Sequence, residues 1–99
     1  MEKRKLIWDE HALVRLEASL RYISETSTQQ AEQVEQTILE KIDLIRVHPE
    51  RFPPDKYKRN NSGSYRALEI NSYRISYHYT EHTIRILRFR HVKQDPSEY

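Results

Sequence analysis

Five side chains in the second half of the chain are of the types that phosphodiester chemistry uses: Arg66, Arg74, His78, His91 and Tyr99. Metal-free cleavage of RNA takes the 2′-OH as an internal nucleophile. It needs cations to hold extra charge on the phosphate, a base for the 2′-OH and an acid for the leaving 5′ oxygen. Arginine offers a phosphate paired donors. Histidine and tyrosine move protons, and aromatic rings stack on splayed bases. Each residue also has a plainer use. Arg74 suits an exposed sheet position, His91 a strand end, and Tyr65 and Tyr73 a packed layer. Composition does not bring these groups together; that falls to the fold.

Other chemistries find less to work with. His78 and His82 stand four apart, but on a strand and a turn rather than on a helix, and with His91 they have no carboxylate cluster beside them, so no metal is expected. A single glycine leaves no Gly-rich phosphate loop, and no cofactor is expected. Ser, His and Asp are present without a triad pattern. The absence of cysteine removes disulfides, thiolate zinc sites and cysteine nucleophiles. No apolar run approaches the length of a membrane span or signal-peptide core, and the chain reads as cytoplasmic. Formal net charge is only +2, but its distribution is uneven. Between Lys56 and Lys93, the cations Lys56, Lys58, Arg59, Arg66, Arg74, Arg85, Arg88, Arg90 and Lys93 face only Glu69 and Glu81, while acidic residues gather in the first half of the chain. This asymmetry suits an anionic partner, or equally a solvated sheet edge with protective charges.

The elements that must position these groups follow from periodicity. Tyr73, Ile75, Tyr77 and Tyr79 alternate with Arg74, Ser76 and His78, the pattern of a half-buried strand. Ile84–Arg90 is a second β-rich run, and Thr80-Glu81-His82-Thr83 fits a hairpin loop between them. If Tyr79 pairs with Ile84, Tyr77 faces Ile86, Ile75 faces Arg88, Arg74 faces Phe89 and His78 faces Arg85. Ile75, Tyr77, Tyr79, Ile84 and Ile86 then form a core face. Arg74, Ser76, His78, Arg85, Leu87, Phe89 and His91 form a cationic one. A bulge would reassign half of this. Tyr65–Ile70 makes a third strand, joined through Asn71-Ser72, to give an antiparallel meander.

Upstream, Lys3–Trp8 is a short edge-strand candidate. Asp9 suits an N-cap, with Glu10 in the first turn of the helix that follows. Leu13, Leu16, Leu20 and Ile23, with Ala12, give that helix an apolar stripe ending near Glu25-Thr26. Ser27 and Gln30 match a capping box. Ala31, Val34, Ile38, Ile42 and Ile45, widened by Leu39 and Leu44, mark a second helix that His48-Pro49 ends. The helical hairpin needs a surface to cover, and the sheet supplies it. Phe52 anchors the stiff Pro49–Asp55 connection, and residues 1–99 read as one domain.

This order of elements resembles the RelE/ParE superfamily of type II toxin–antitoxin toxins, over about Leu6 to Tyr99. The likeness is carried by Tyr65-Arg66, by Tyr73-Arg74-Ile75-Ser76-Tyr77, by Ile84-Arg85-Ile86-Leu87 closing on His91, and by His48-Pro49 followed by Phe52-Pro53. It implies an α+β fold with an N-terminal strand and an αα-hairpin packed on a mostly antiparallel, twisted sheet. It also implies neutralisation by a cognate antitoxin whose C-terminal segment wraps the toxin, with operator DNA met only through that complex. Members of the superfamily are ribosome-dependent mRNA endonucleases or inhibitors of DNA gyrase. By position, the resemblance assigns Arg66, Arg74, His91 and Tyr99 to catalysis, and Arg66, Arg74, His78 and Lys93 to RNA or phosphate binding. Leu68 departs from the nuclease branch, which carries a second lysine there, and the long hairpin is similar to the ParE branch. His91 and Tyr99 are residue types that a nuclease uses. Ribosome-dependent mRNA cleavage is the expectation, with gyrase inhibition as its rival, and it requires Arg66, Arg74 and His91 on one concave face within reach of one phosphate. Dispersed positions favour a binding protein or an inactive, antitoxin-binding homologue. Arg74→Ala is expected to abolish cleavage and leave folding intact.

Overall fold

The computed structural model describes residues 3–94 and 96–99. Strand β1 (Lys5–Trp8) leads into helices α1 (Glu10–Thr26) and α2 (Thr28–Val47), and a 3-10 turn (Pro49–Arg51) follows. Strands β2 (Tyr65–Ile70), β3 (Tyr73–Tyr79) and β4 (Thr83–His91) complete a four-stranded sheet of order β1-β4-β3-β2. The C-terminal three strands form the expected antiparallel meander, and β1 pairs parallel to β4 at one edge.

Both helices cover one face of the sheet. Ala12 and Leu16 of α1 and Ile38, Ile42 and Ile45 of α2 pack with Leu68, Ile70, Ile75, Tyr77, Ile84, Ile86 and Phe89. Each large aliphatic side chain buried here contributes about 1.5–3 kcal/mol relative to exposure. The stripe is narrower than periodicity suggests. Leu13 is 37% exposed and Leu39 is 52% exposed, because each lies on the flank of its helix turned away from the sheet. Tyr77 is fully buried, and its hydroxyl donates to the Pro49 carbonyl at 2.6 Å, fixing the 3-10 turn beneath the sheet.

Ser27 separates the two helices by itself. Its N–H closes α1 on the Ile23 carbonyl, and its Oγ opens α2 by accepting from Gln30 N–H at 3.1 Å. This is one half of the expected capping box; the Ser27 N–H is already committed to α1. Asp9 holds the N-cap position of α1 without capping it. Its carboxylate accepts from Arg85 Nη1 at 2.7 Å instead. The β2–β3 turn places Asn71 in the left-handed region, at φ 55°, which asparagine tolerates.

The β3–β4 register corrects the simple hairpin. Tyr79, His78 and Tyr77 face Ile84, Arg85 and Ile86 as expected, but the register then shifts, and Ser76 faces Arg88. Leu87 is the extra residue of a bulge. Beyond it Ile75 faces Phe89, not Arg88, and Arg74 faces Arg90, not Phe89. Phe89 and His91 therefore move to the helix side, and Arg88 and Arg90 join Arg74, Ser76 and His78 on the second face. The bulge trades an aromatic ring and a histidine for two arginines on that face.

Candidate functional site

The second face of the sheet is roofed by two segments. The Pro53–Asp55 stretch runs along the outer edge of β2, with Asp55 N–H donating to the Tyr65 carbonyl at 2.8 Å. Residues 96–99 lie across the face, where Tyr99 N–H donates to the Tyr57 carbonyl and Arg59 N–H donates to the Tyr99 carbonyl at 2.7 Å. Asn61 ties the connecting loop together through both ends of its amide. Its Oδ1 accepts from Gly63 and Tyr65 N–H, and its Nδ2 donates to the Asp55 and Tyr65 carbonyls. Gly63 sits at φ 115°, where a side chain would strain the backbone.

Beneath this roof lies a buried polar knot. Arg74, at 8% exposure, directs Nη2 to Asp55 Oδ1 at 2.8 Å and Nη1 to Glu69 Oε2 at 3.1 Å. Asp55, at 2% exposure, also accepts from Tyr57 N–H at 3.1 Å and from Tyr99 Oη at 2.6 Å. Burial alone would push the Asp55 carboxyl up. Hydrogen bonds from Tyr99, Arg74, Tyr57 and Ser76 outweigh that and hold it below its ordinary value. The Tyr99 hydroxyl is driven well above the usual tyrosine range, first by burial and then by the carboxylate it donates to. The Nε of Arg74 is buried without a partner among the described residues.

Cations and rings alternate around the knot. The Arg74 and Arg90 guanidinium groups stand 5.0 and 5.3 Å from the centre of the Tyr57 ring. Tyr99 carries Arg88 over its ring at 4.7 Å and Lys58 at 5.4 Å. Lys58 also stands 4.7 Å from the Tyr65 ring, and Tyr65 in turn lies tilted by 37° against His78, with ring centroids 4.3 Å apart. Burial, with the nearby Arg85 charge, pulls His78 below the usual histidine value, which keeps its imidazole neutral near pH 7. Each cation–ring contact is worth about 0.5–2 kcal/mol, depending on how dry it is.

The sequence-derived residues divide between the two faces. Arg74, His78 and Tyr99 meet on the second face. Arg66 alternates to the helix side at the β2 edge, where Nε donates to the Gly63 carbonyl and Nη1 to the Phe52 carbonyl, both at 2.8 Å. It staples the Pro49–Asp55 connection to the sheet. His91 also turns to the helix side, edge-on to Tyr73 at 5.3 Å, with Nδ1 accepting from Lys93 N–H. Lys93 is exposed in the turn after β4. The knot also bears on Arg74→Ala, which strands the buried Asp55 carboxylate and so acts on folding as well as on any chemistry.

Periodicity missed Asp55, Tyr57, Lys58, Arg88 and Arg90. The bulge hid the two arginines. The other three lie in an irregular segment, where the one signal was an Asp between a Pro pair and a polar turn, a residue type that bonds the backbone two residues on. A groove of about 500 Å3 runs from the Arg88 and Arg90 side to His11 and Arg15 of α1. Among the described residues, no group of three or more His, Asp or Glu side chains is placed to share a metal ion. Among the same residues, no helix is long and apolar enough to cross a membrane.

The chain matches the profile of the family described as ParE toxin of type II toxin-antitoxin system, parDE, over residues 6–96. No curated protein matches it. Among solved structures it is similar to one described as the chromosomal ParDE TA system from P. aeruginosa, with a TM-score of 0.68 and 20% identity, covering 92% of this chain and 98% of that one. At that identity the likeness is one of fold, and it holds for the helical hairpin on the mixed sheet. With the profile spanning both helices, strands β2 to β4 and all but the first residue of β1, the chain belongs to the ParE toxin family of type II toxin–antitoxin systems.

Proposed function

We propose that this toxin acts in the cytoplasm by binding DNA gyrase rather than by cleaving mRNA, and that a cognate antitoxin silences it. The observation that carries this reading is the state of Arg74. Its guanidinium is spent on Asp55 and Glu69 inside the fold, so it offers no free charge to a scissile phosphate. Arg66 and His91, the partners that cleavage would ask of it, lie on the other side of the sheet. Gyrase is the target that the superfamily resemblance implies for its non-cleaving branch. Contact with operator DNA would come through the antitoxin complex.

Two assays on one preparation test this. Purified toxin is expected to inhibit gyrase supercoiling of a relaxed plasmid. Induction without antitoxin is expected to arrest growth with no codon-phased new mRNA 5′ ends. Phased ends together with unimpaired supercoiling would overturn the reading.

The cation–ring array favours a second reading, ribosome-dependent mRNA cleavage. Arg88, Arg90 and Lys58 would then hold the phosphate, and neutral His78 would accept a proton. Arg74 would position these groups from beneath, and the Tyr99 ring from beside Arg88 and Lys58.

A further inference from the structure

Helices α1 and α2 bury one side each against the sheet and leave a trough of about 370 Å3 between their other sides. The buried Ala31 and the half-buried Leu20 lie deepest in it, and the exposed Glu17, Arg21, Glu32 and Glu35 form its rim. Leu13 stands seven residues before Leu20, and Leu39 seven after Glu32. Helical periodicity therefore carries both walls on through these two leucines, and both are exposed. From Leu13 to Ser24 the trough runs about 16 Å, at ~1.5 Å per residue.

The rim is acidic and uncompensated. Three carboxylates, Glu17, Glu32 and Glu35, stand against the single guanidinium of Arg21. None of the ion pairs among the described residues involves any of the four. An apolar floor with a rim of one sign selects its occupant. A nucleic-acid strand or an anionic membrane would meet like charge. A second copy of the chain would bring an identical acidic rim against this one. An added strand would find no free edge, because both walls are helices that bond their own backbone. A helix with an apolar stripe and lysines or arginines beside it satisfies floor and rim together.

We propose that the outer trough of the helical hairpin docks a basic amphipathic helix of about three turns from another protein. Its apolar stripe lies on Leu20, Ala31, Leu13 and Leu39, and its cations face Glu17, Glu32 and Glu35. The inference is independent of which target the toxin acts on. The trough turns away from the sheet, so a helix seated there tethers the toxin and leaves the Arg88 and Arg90 face open.

The test uses two fluorescein-labelled peptides of about sixteen residues, long enough to hold a helix. Both carry leucines at helical spacing on an alanine background; one bears lysines beside the stripe and the other glutamates. Added to the intact chain, the lysine peptide is expected to bind and to shift the amide resonances of Leu20, Ala31 and Glu35, leaving those of Arg88 and Arg90 in place. Glu32→Lys/Glu35→Lys alters two exposed positions. It is expected to weaken the lysine peptide about tenfold or more and to admit the glutamate peptide, as reversal of rim charge requires. Should that variant fail to fold, Leu39→Ser, also at an exposed position, tests the same contact with the rim intact and is expected to weaken the lysine peptide. Absence of binding by the lysine peptide, equal binding of the two peptides by the parent, or shifts centred on Arg88 and Arg90 would overturn the proposal. So would charge-reversed toxin that binds the lysine peptide as tightly as the parent. A dimer of the toxin alone that Leu39→Lys breaks would give the trough to a second copy and overturn it as well.

Discussion

The buried Arg74–Asp55 pair makes the most exposed prediction of the structure. Asp55→Ala removes the acceptor for Arg74 Nη2, Tyr99 Oη and Tyr57 N–H in one step. What remains is a guanidinium whose side chain is only 9% exposed and whose Nε already lacks a partner among the described residues. Glu69 cannot compensate, because its carboxylate is 55% exposed and screened by water. Removing one partner of a buried pair costs about 3–5 kcal/mol. For a domain of this size, about 5 °C per kcal/mol converts that to a fall in Tm of roughly 15–25 °C. Total stability is about 5–15 kcal/mol, so the variant stays measurable at low temperature. Thermal melting followed by circular dichroism, with urea titration as a second readout, gives the number. The double variant Asp55→Ala/Arg74→Met separates pairing from packing. It removes the stranded charge while filling most of the arginine volume, and it should recover at least half of the loss. A single variant that melts within about 3 °C of the parent would refute the argument, since nearly neutral changes belong to surface positions. So would a double variant no more stable than the single one.

Two further outcomes follow from the same physics. The depressed Asp55 carboxyl contributes stability that is fully present above its unfolded value near pH 3.9 and is lost as pH falls through its lower folded value. Urea midpoints should therefore drop below about pH 4 in the parent and drop less steeply in Asp55→Asn; parallel curves would remove Asp55 as the titrating group. Ser27→Ala takes the only side-chain cap from the start of α2 and should cost about 1 kcal/mol, or roughly 5 °C in Tm. An unchanged melt would mean that the short connection holds without it.

How far the sequence carried these arguments depended on regularity. The alternation from Tyr73 to Tyr79 is strict enough to place Ile75 and Tyr77 inward, and they are fully buried. The helical stripe through Ile38, Ile42 and Ile45 is equally legible. Leu13 and Leu39 were drawn into the core by their type, although they sit at the margins of their stripes. Alternation failed at Leu87, where one inserted residue reversed the sides of Arg88 to His91. Pattern alone does not locate a bulge, because both phases leave β-formers on both faces. Position in the chain groups Arg66 with Arg74 and pairing parity separates them, whereas His91 leaves the Arg74 face through the bulge. Asp55 was out of reach for a different reason. A carboxylate in a Pro-rich connection reads as solvent-facing until a strand arginine is known to lie under it.

The parallel pairing of β1 with β4 joins Lys5 to Thr83. The first strand made on the ribosome is thus sealed only by the last. At about 5–20 residues per second, roughly 4–17 s separate synthesis of Trp8 from that of His91. For roughly the second half of that interval, once Val47 has been made, both helical segments are present but Ile38, Ile42 and Ile45 have no sheet to cover. Pairing across so long a separation is also slow to form. Nascent chains of this toxin therefore pass through a stage of translation in which they are sticky and inactive, and a truncated message would yield a helical fragment that never becomes the toxin.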